Sequence, residues 1–145
     1  MRAMGIDSGE RRIGVALSDE LGFLAAPWRA VLVARGRELA ELAAMARERD
    51  VEIIVIGLPT SLNGTEGPQA RRVRAFAARL APLLGELPIV FADERFTTAE
   101  AERQMIDQRL SREKRRERID AAAAAIMLQG WLDARRPPRL AWREE

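Results

Sequence analysis

Three acidic positions stand where a globular chain would ordinarily place apolar or turn residues. Asp7 ends the strand-like run in "MGIDSGERRIGVALSD", Asp93 and Glu94 follow the apolar run in "FADERFTTAE", and Asp120 opens "RIDAAAAAIMLQGWLD". A lone carboxylate inside a core costs several kcal/mol, of order 3–5, or shifts its pKa until it is neutral. Each acid has an ordinary explanation. Asp7-Ser8-Gly9 can cap a turn, Asp93-Glu94-Arg95 can be a solvated loop, and Asp120 can favour a helix N-terminus. Together they suggest chemistry. Carboxylates gathered in one site repel and raise one another's pKa. A divalent cation resolves that repulsion, and two such ions can hold a phosphodiester for in-line attack by water.

Composition narrows the field. The 145 residues contain no Cys, no His and no Tyr. Disulfides, thiolate nucleophiles, Cys or His zinc sites and a His general base are thereby excluded. Chemistry must come from carboxylates, hydroxyls, Lys or Arg, or from a metal held by oxygen, for which Mg²⁺, Mn²⁺ or Ca²⁺ is suited. The net charge is only +2, yet the pI is about 10.2. Lys114 is the one lysine; the other cations are guanidinium groups that stay charged and grip phosphate in a bidentate way. No apolar stretch approaches the ~20 residues of a membrane-spanning helix, and no signal-peptide pattern opens the chain. A single cytoplasmic domain over 1–145 is expected.

The elements that must position these acids follow from the apolar patterning. Residues 2–8 and 12–19 predict two strands joined by a tight turn at 9–11, and 23–34 a third, with Pro27 marking an edge or bulge. Residues 37–49 form an amphipathic helix pattern. "VEIIVIGLP" (51–59) lacks alternation, as a strand covered on both faces does. Gly67-Pro68 opens a helix to about Leu84, and "LPIVFAD" (87–93) is expected as another buried strand. Thr97-x-x-Glu100 is a capping box for a helix from about 98. A last helix is predicted over 117–134, with Asp120 sharing its apolar face with Ala123, Ala124, Met127 and Trp131, and Gln129 opposite. The expected fold is α/β, ribonuclease H-like in element order: a mixed five-stranded sheet, three antiparallel strands then parallel ones, flanked by helices.

Positive charge concentrates just before Asp120. "RLSREKRRER" (109–118) has six cations, Arg109, Arg112, Lys114, Arg115, Arg116 and Arg118, against Glu113 and Glu117, so this stretch is +4 and the rest −2. We read it as a phosphate-gripping basic loop, and 135–145 as a short tail. "GLPTSLNGTEGP" (57–68) adds Gly, hydroxyls and an amide that can meet phosphate, but lacks the order of a P-loop. Arg12, Thr60, Asn63, Arg95, Thr98, Arg112, Lys114, Arg115 and Arg116 are the candidate nucleic-acid contacts. Gly5 and Gly9 are read as clearance for a metal and a phosphate backbone.

Four motifs, "GIDSGERRIGVALSD", "IIVIGLPTSLNGTEGPQARRVRAFAARL", "FADERFTTAEAE" and "RIDAAAAAIMLQGWLD", resemble the YqgF (RuvX-like) family in order and spacing, from Met4 to about Asp133. The resemblance implies a ribonuclease H-like, metal-dependent nuclease whose site acids, both catalytic and metal-binding, fall on Asp7, Glu94 and Asp120, with Mg²⁺ or Mn²⁺, as two ions. The family is described both as a Holliday junction resolvase and as a nuclease maturing the 5′ end of pre-16S ribosomal RNA. Two departures, Ser8 where an aromatic often follows the first acid and Thr60-Ser61-Leu62 where Asn-Met or a similar pair is usual, touch substrate contacts and leave the acids intact.

The leading expectation is a nuclease on structured RNA, working in ribosome biogenesis with ribosomal particles among its partners, as a monomer or homodimer. A resolvase of branched DNA keeps the chemistry and changes the substrate. A non-catalytic assembly factor binding nucleic acid is the reading from another class; its binding would be salt-steep and indifferent to Mg²⁺. A sugar-kinase or actin-type ATPase would need a second domain.

Overall fold

A computed structural model describes residues 1–60, 64–93 and 112–135. Among them, five strands and three helices run in the order β1 (Ala3–Ser8), β2 (Arg12–Ser18), β3 (Ala25–Leu32), α1 (Arg37–Glu48), β4 (Ile53–Leu58), α2 (Pro68–Leu84), β5 (Ile89–Asp93) and α3 (Arg112–Arg135). They form one sheet in the order β3-β2-β1-β4-β5. The β1–β2 and β2–β3 pairs are antiparallel; β1–β4 and β4–β5 are parallel. The expected mixed sheet is therefore present. Among the described residues, no helix is long and apolar enough to cross a membrane.

The pleat divides the sheet into two unequal faces. Met4, Ile6, Ile13, Val15, Ile54 and Ile56 point to one side and pack against α1 and α2 through Leu42, Val73, Phe76 and Leu80. The other side carries small residues in its antiparallel half, and among the described residues α3 alone covers it. There Ala3, Ala16, Ile53 and Val55 meet Ala124, Met127, Leu128 and Leu132. β4 is buried along its whole length, as its unbroken apolar run predicts.

Gly5 and Gly14 sit on this α3 face. A Cβ on Gly14 would lie 2.0 Å from the Asp120 carbonyl oxygen, and one on Gly5 would lie 2.9 Å from Leu128 Cβ. The clearance at Gly5 is thus for α3, not for a metal. Gly9 clears its own turn: its N–H donates to the Arg12 carbonyl at 3.0 Å, and a Cβ there would come within 2.6 Å of that oxygen.

Several boundaries and environments differ from the sequence expectation. α3 is already helical at Arg112, ahead of the expected 117, so 112–118 are helix instead of a loop. Those residues are Arg, Glu, Lys and Arg again, all good helix formers, with no Gly, Pro or β-branched residue among them. β5 is only partly buried because it is the outer strand of the sheet. Leu132, rather than Trp131, is the buried member of the last turns of α3. Gln129 does not face away: its Oε1 accepts from the Ala25 N–H at 2.8 Å and its Nε2 donates to the Phe23 carbonyl at 2.9 Å, tying α3 to the start of β3. Pro27 is on an edge strand next to a register shift opposite Val15 and Ala16, as proline in a sheet requires. The helix expected from about 98 lies outside the described residues.

The turn into α1 is closed by a buried acid. Glu38 is 3% exposed, and its Oε1 accepts from the N–H groups of Ala34 at 2.8 Å and Gly36 at 3.0 Å. Gly36 has φ 93°, a left-handed conformation that glycine adopts without strain. Burial pushes the Glu38 carboxyl up, but the N–H groups of Ala34, Glu38 itself and Gly36, with the Arg79 charge, leave it below its usual range.

Two stability outcomes follow. Gly14→Ala should destabilise the fold by about 3 kcal/mol or more in urea denaturation, because backbone rather than a flexible side chain meets the new methyl. Glu38→Ala should cost about 2 kcal/mol at neutral pH. Because the native Glu38 carboxyl is depressed, its contribution is complete above the usual glutamate range. The gap between wild type and variant should shrink as pH falls through that range and level off below the native value, once the charge-linked part is lost. A gap that stays constant down to acid denaturation would show that the charge of Glu38 does not contribute.

Candidate active site

The site is built where β1 ends, β2 begins and α3 crosses them. Antiparallel pairing sets Asp7 of β1 directly opposite Gly14 of β2. Partners in such a register have Cα atoms roughly 4.5–5.5 Å apart. Asp7 alternates with Ala3 and Gly5, so its side chain leaves the sheet on the α3 side. Gly14 is also the residue against which the backbone of Asp120 rests. One glycine therefore borders both acids, from strands and a helix more than a hundred residues apart. Asp7 and Asp120 are each half-buried.

Arg12 completes this corner. It is the first residue of β2, two positions before Gly14 and on the same face. Its Nε–H donates to Asp120 Oδ2 at 2.7 Å. Arg12 enters the sequence expectation as a phosphate contact; the structure gives it a carboxylate partner as well.

The carboxyl ends of the parallel strands lie at the same edge of the sheet. Ile6 of β1 pairs with Ile56 of β4, and Leu58 of β4 pairs with Asp93 of β5. Ligands of open α/β sheets bind at such edges. Asp93 is exposed there, and Thr60 follows β4 by two residues and is half-buried. Glu94, Arg95, Thr98 and Asn63 lie outside the described residues. Among the described residues, no group of three acids is gathered to hold a metal ion.

The loop between β4 and α2 is anchored on its far side. Arg74 binds Glu66 with both ends of its fork, Nε to Oε1 at 2.7 Å and the terminal amino group to Oε2 at 2.6 Å, and its guanidinium lies 4.8 Å from the Phe91 ring centre. The pair holds the Glu66 carboxyl below its usual range, chiefly through the hydrogen bonds from Arg74.

Charge at the start of α3 runs against helix electrostatics. A helix N-terminus carries partial positive charge and favours acids. Here Arg112, Lys114, Arg115 and Arg116 are all exposed in the first turns, with Glu113 the acid of the first turn.

Sequence reasoning missed Gly14 as the contact point. A signal was present: an isolated glycine inside an alternating strand often marks close approach of another backbone. It also missed the Arg12–Asp120 pair, for which no local pattern exists, since the two residues are 108 positions apart.

Comparison with known proteins agrees with this architecture. Residues 1–134 match the family model described as "RuvX: Holliday junction resolvase". A protein of Roseiflexus sp. (strain RS-1) named "Putative pre-16S rRNA nuclease" is 48% identical over 136 residues, covering 93% of this chain and 96% of that one. A protein of the same name from Symbiobacterium thermophilum is 49% identical over 144 residues, covering 95% and 97%. Among solved structures, Thermus thermophilus RuvC in complex with Holliday junction substrate aligns with a TM-score of 0.57 at 16% identity, over 93% of this chain and 95% of that one. That likeness shows a shared ribonuclease H-like fold. By the match over nearly its full length and the identity to these relatives, the chain belongs to the RuvX (YqgF) family.

Proposed function

We propose that this protein is a metal-dependent nuclease that hydrolyses phosphodiester bonds in structured RNA, in the 5′-end maturation of pre-16S ribosomal RNA. The observation that carries the reading is the convergence of Asp7 and Asp120 on Gly14, at a corner that also holds a phosphate-competent arginine. Relatives named for pre-16S rRNA nuclease activity support the substrate.

The donor set suits a hard cation. Carboxylate oxygens are the ligands Mg²⁺ and Mn²⁺ prefer, and the chain has no softer alternative in His or Cys. In this reading Asp7 and Asp120 hold the ions together with Glu94, which follows Ala92 of the α3 face by two positions in the chain. Bound there, a divalent ion supplies Lewis acidity to the phosphoryl oxygens and lowers the pKa of the attacking water. The protein's own residues do the rest. Half-burial of the two aspartates leaves their carboxylates open to an ion and to the attacking water. Thr60, Asn63, Arg95 and Thr98 contact the strand near the cleaved bond. Arg112, Lys114, Arg115 and Arg116 project from the exposed first turns of α3 and hold flanking phosphates. With no histidine in the chain, the proton from water leaves to solvent or to a carboxylate. Such substrates would place the protein in the cytoplasm, on or near ribosomal particles.

A second reading, resolution of four-way DNA junctions, is favoured by the description of the matching family. It requires paired cuts by a symmetric dimer. Solution mass together with cleavage of both substrates separates the two.

Asp7→Asn should abolish Mg²⁺- or Mn²⁺-dependent cleavage of a precursor rRNA end while leaving the circular dichroism spectrum and melting temperature near wild type. Cleavage at the wild-type rate would sink the assignment. Replacing Arg112, Lys114, Arg115 and Arg116 together by Gln should weaken RNA binding and flatten the plot of log affinity against log salt by a slope of about 3. An unchanged slope would remove these residues from the interface. Wild-type binding without any cleavage, equal in EDTA and in Mg²⁺, would favour a non-catalytic assembly factor.

A further inference from the structure

Among the arginine–carboxylate pairs of the described residues, two flank the candidate site and the β4–α2 connection and differ in geometry. Arg74 grips Glu66 through two parallel hydrogen bonds, the arrangement that gives such pairs their strength. Arg12 touches Asp120 through Nε alone, at 2.7 Å. Among the described residues, Asp120 Oδ1 receives no hydrogen bond, and the terminal amino groups of Arg12 donate none. The side chains of Arg12 and Asp120 are 23% and 28% exposed, so water and ions reach the pair. A one-point, solvent-accessible ion pair contributes little stability. Its placement is more telling, since Arg12 sits on the α3 face beside Gly14, which separates Asp7 from Asp120.

Resting on the reading of Asp120 as a cation ligand, we infer that Arg12 is an exchangeable counter-ion of that carboxylate. The guanidinium neutralises Asp120 and holds its rotamer through Oδ2. Asp120 would hold a divalent ion only by giving up its bond from Arg12, and the positive charge of Arg12 would oppose that binding. Arg12 is therefore a positioning residue that weakens cation affinity. The same exchange frees its fork for an anion, a role that a bidentate pair such as Arg74–Glu66 could not fill without breaking two bonds.

The test is Mn²⁺ binding by calorimetry and by the electron paramagnetic resonance signal of free Mn²⁺, with no substrate present. Arg12→Gln should bind Mn²⁺ about threefold to tenfold more tightly than wild type, since a competing unit charge is gone. Arg12→Lys restores the charge and should lie within about twofold of wild type. In the wild-type chain, saturating Mg²⁺ should shift the Arg12 ¹⁵Nε–H resonance toward that of a solvated arginine, a readout that needs no variant to fold. Asp120→Asn tells the two levels apart. If Asp120→Asn weakens Mn²⁺ binding while Arg12→Gln leaves it unchanged or weaker, or if the Arg12 resonance ignores Mg²⁺, the counter-ion role is overturned and the ligand role of Asp120 stands. If Asp120→Asn binds Mn²⁺ as wild type does, the ligand assignment itself fails and takes the inference with it.

Discussion

The close approach of α3 to the first hairpin governs the arrangement of this molecule. A methyl group at Gly14 would stand 2.0 Å from the Asp120 carbonyl oxygen, so the helix axis can lie where it does only because that position carries hydrogen alone. Gly5 makes the matching concession one strand over, under Leu128. The helix answers with its own small residues, Ala121 through Ala125, all of them buried. Packing small against small brings backbones together at the cost of apolar area per residue. The compensation lies on the opposite face of the sheet, where Ile, Leu, Val and Phe side chains form the larger cluster with α1 and α2.

That division of labour explains why a polar corner can exist in so small a domain. The thick apolar layer under α1 and α2 supplies the burial on which the fold rests. The thin alanine layer under α3 fixes the position of one helix relative to one hairpin. Asp120 is on that helix; Asp7 and Arg12 are on that hairpin. Their geometry is set by backbone contact rather than by long side chains, and backbone contact leaves little freedom for drift. Gln129 pins the same helix to the start of β3 through two further hydrogen bonds. The helix is thus held along its length, at Gly14 near one end and at Ala25 and Phe23 nearer the other.

Charge is distributed with the same economy. With no histidine or cysteine in the chain, carboxylates and guanidinium groups are what this corner has to work with. One acid is neutralised through a single hydrogen bond that leaves half of each partner uncommitted. The cations that follow one another at the start of α3 oppose the helix dipole instead of completing it.

Much of the architecture was legible in the residues. The unbroken apolar run of β4 marks a strand covered on both faces, Gly67-Pro68 marks the start of α2, and Pro27 marks an edge strand, because each depends on local stereochemistry. The two acids of the hairpin and last helix were legible too, as polar residues out of place in apolar patterns. The sequence did not reveal where α3 begins, because charged residues with high helix propensity read equally well as a solvated loop until a sheet gives the helix something to dock on. Nor could it reveal that Gly14 is the contact point or that Arg12 meets Asp120. Both depend on how a helix settles on a twisted sheet far away in the chain, which is decided by packing and not by any neighbour in sequence. By itself, then, the sequence determined which residues can do chemistry and which elements carry them. Only the tertiary structure decided which of those residues share a corner, because that depends on the distance at which two backbones can touch.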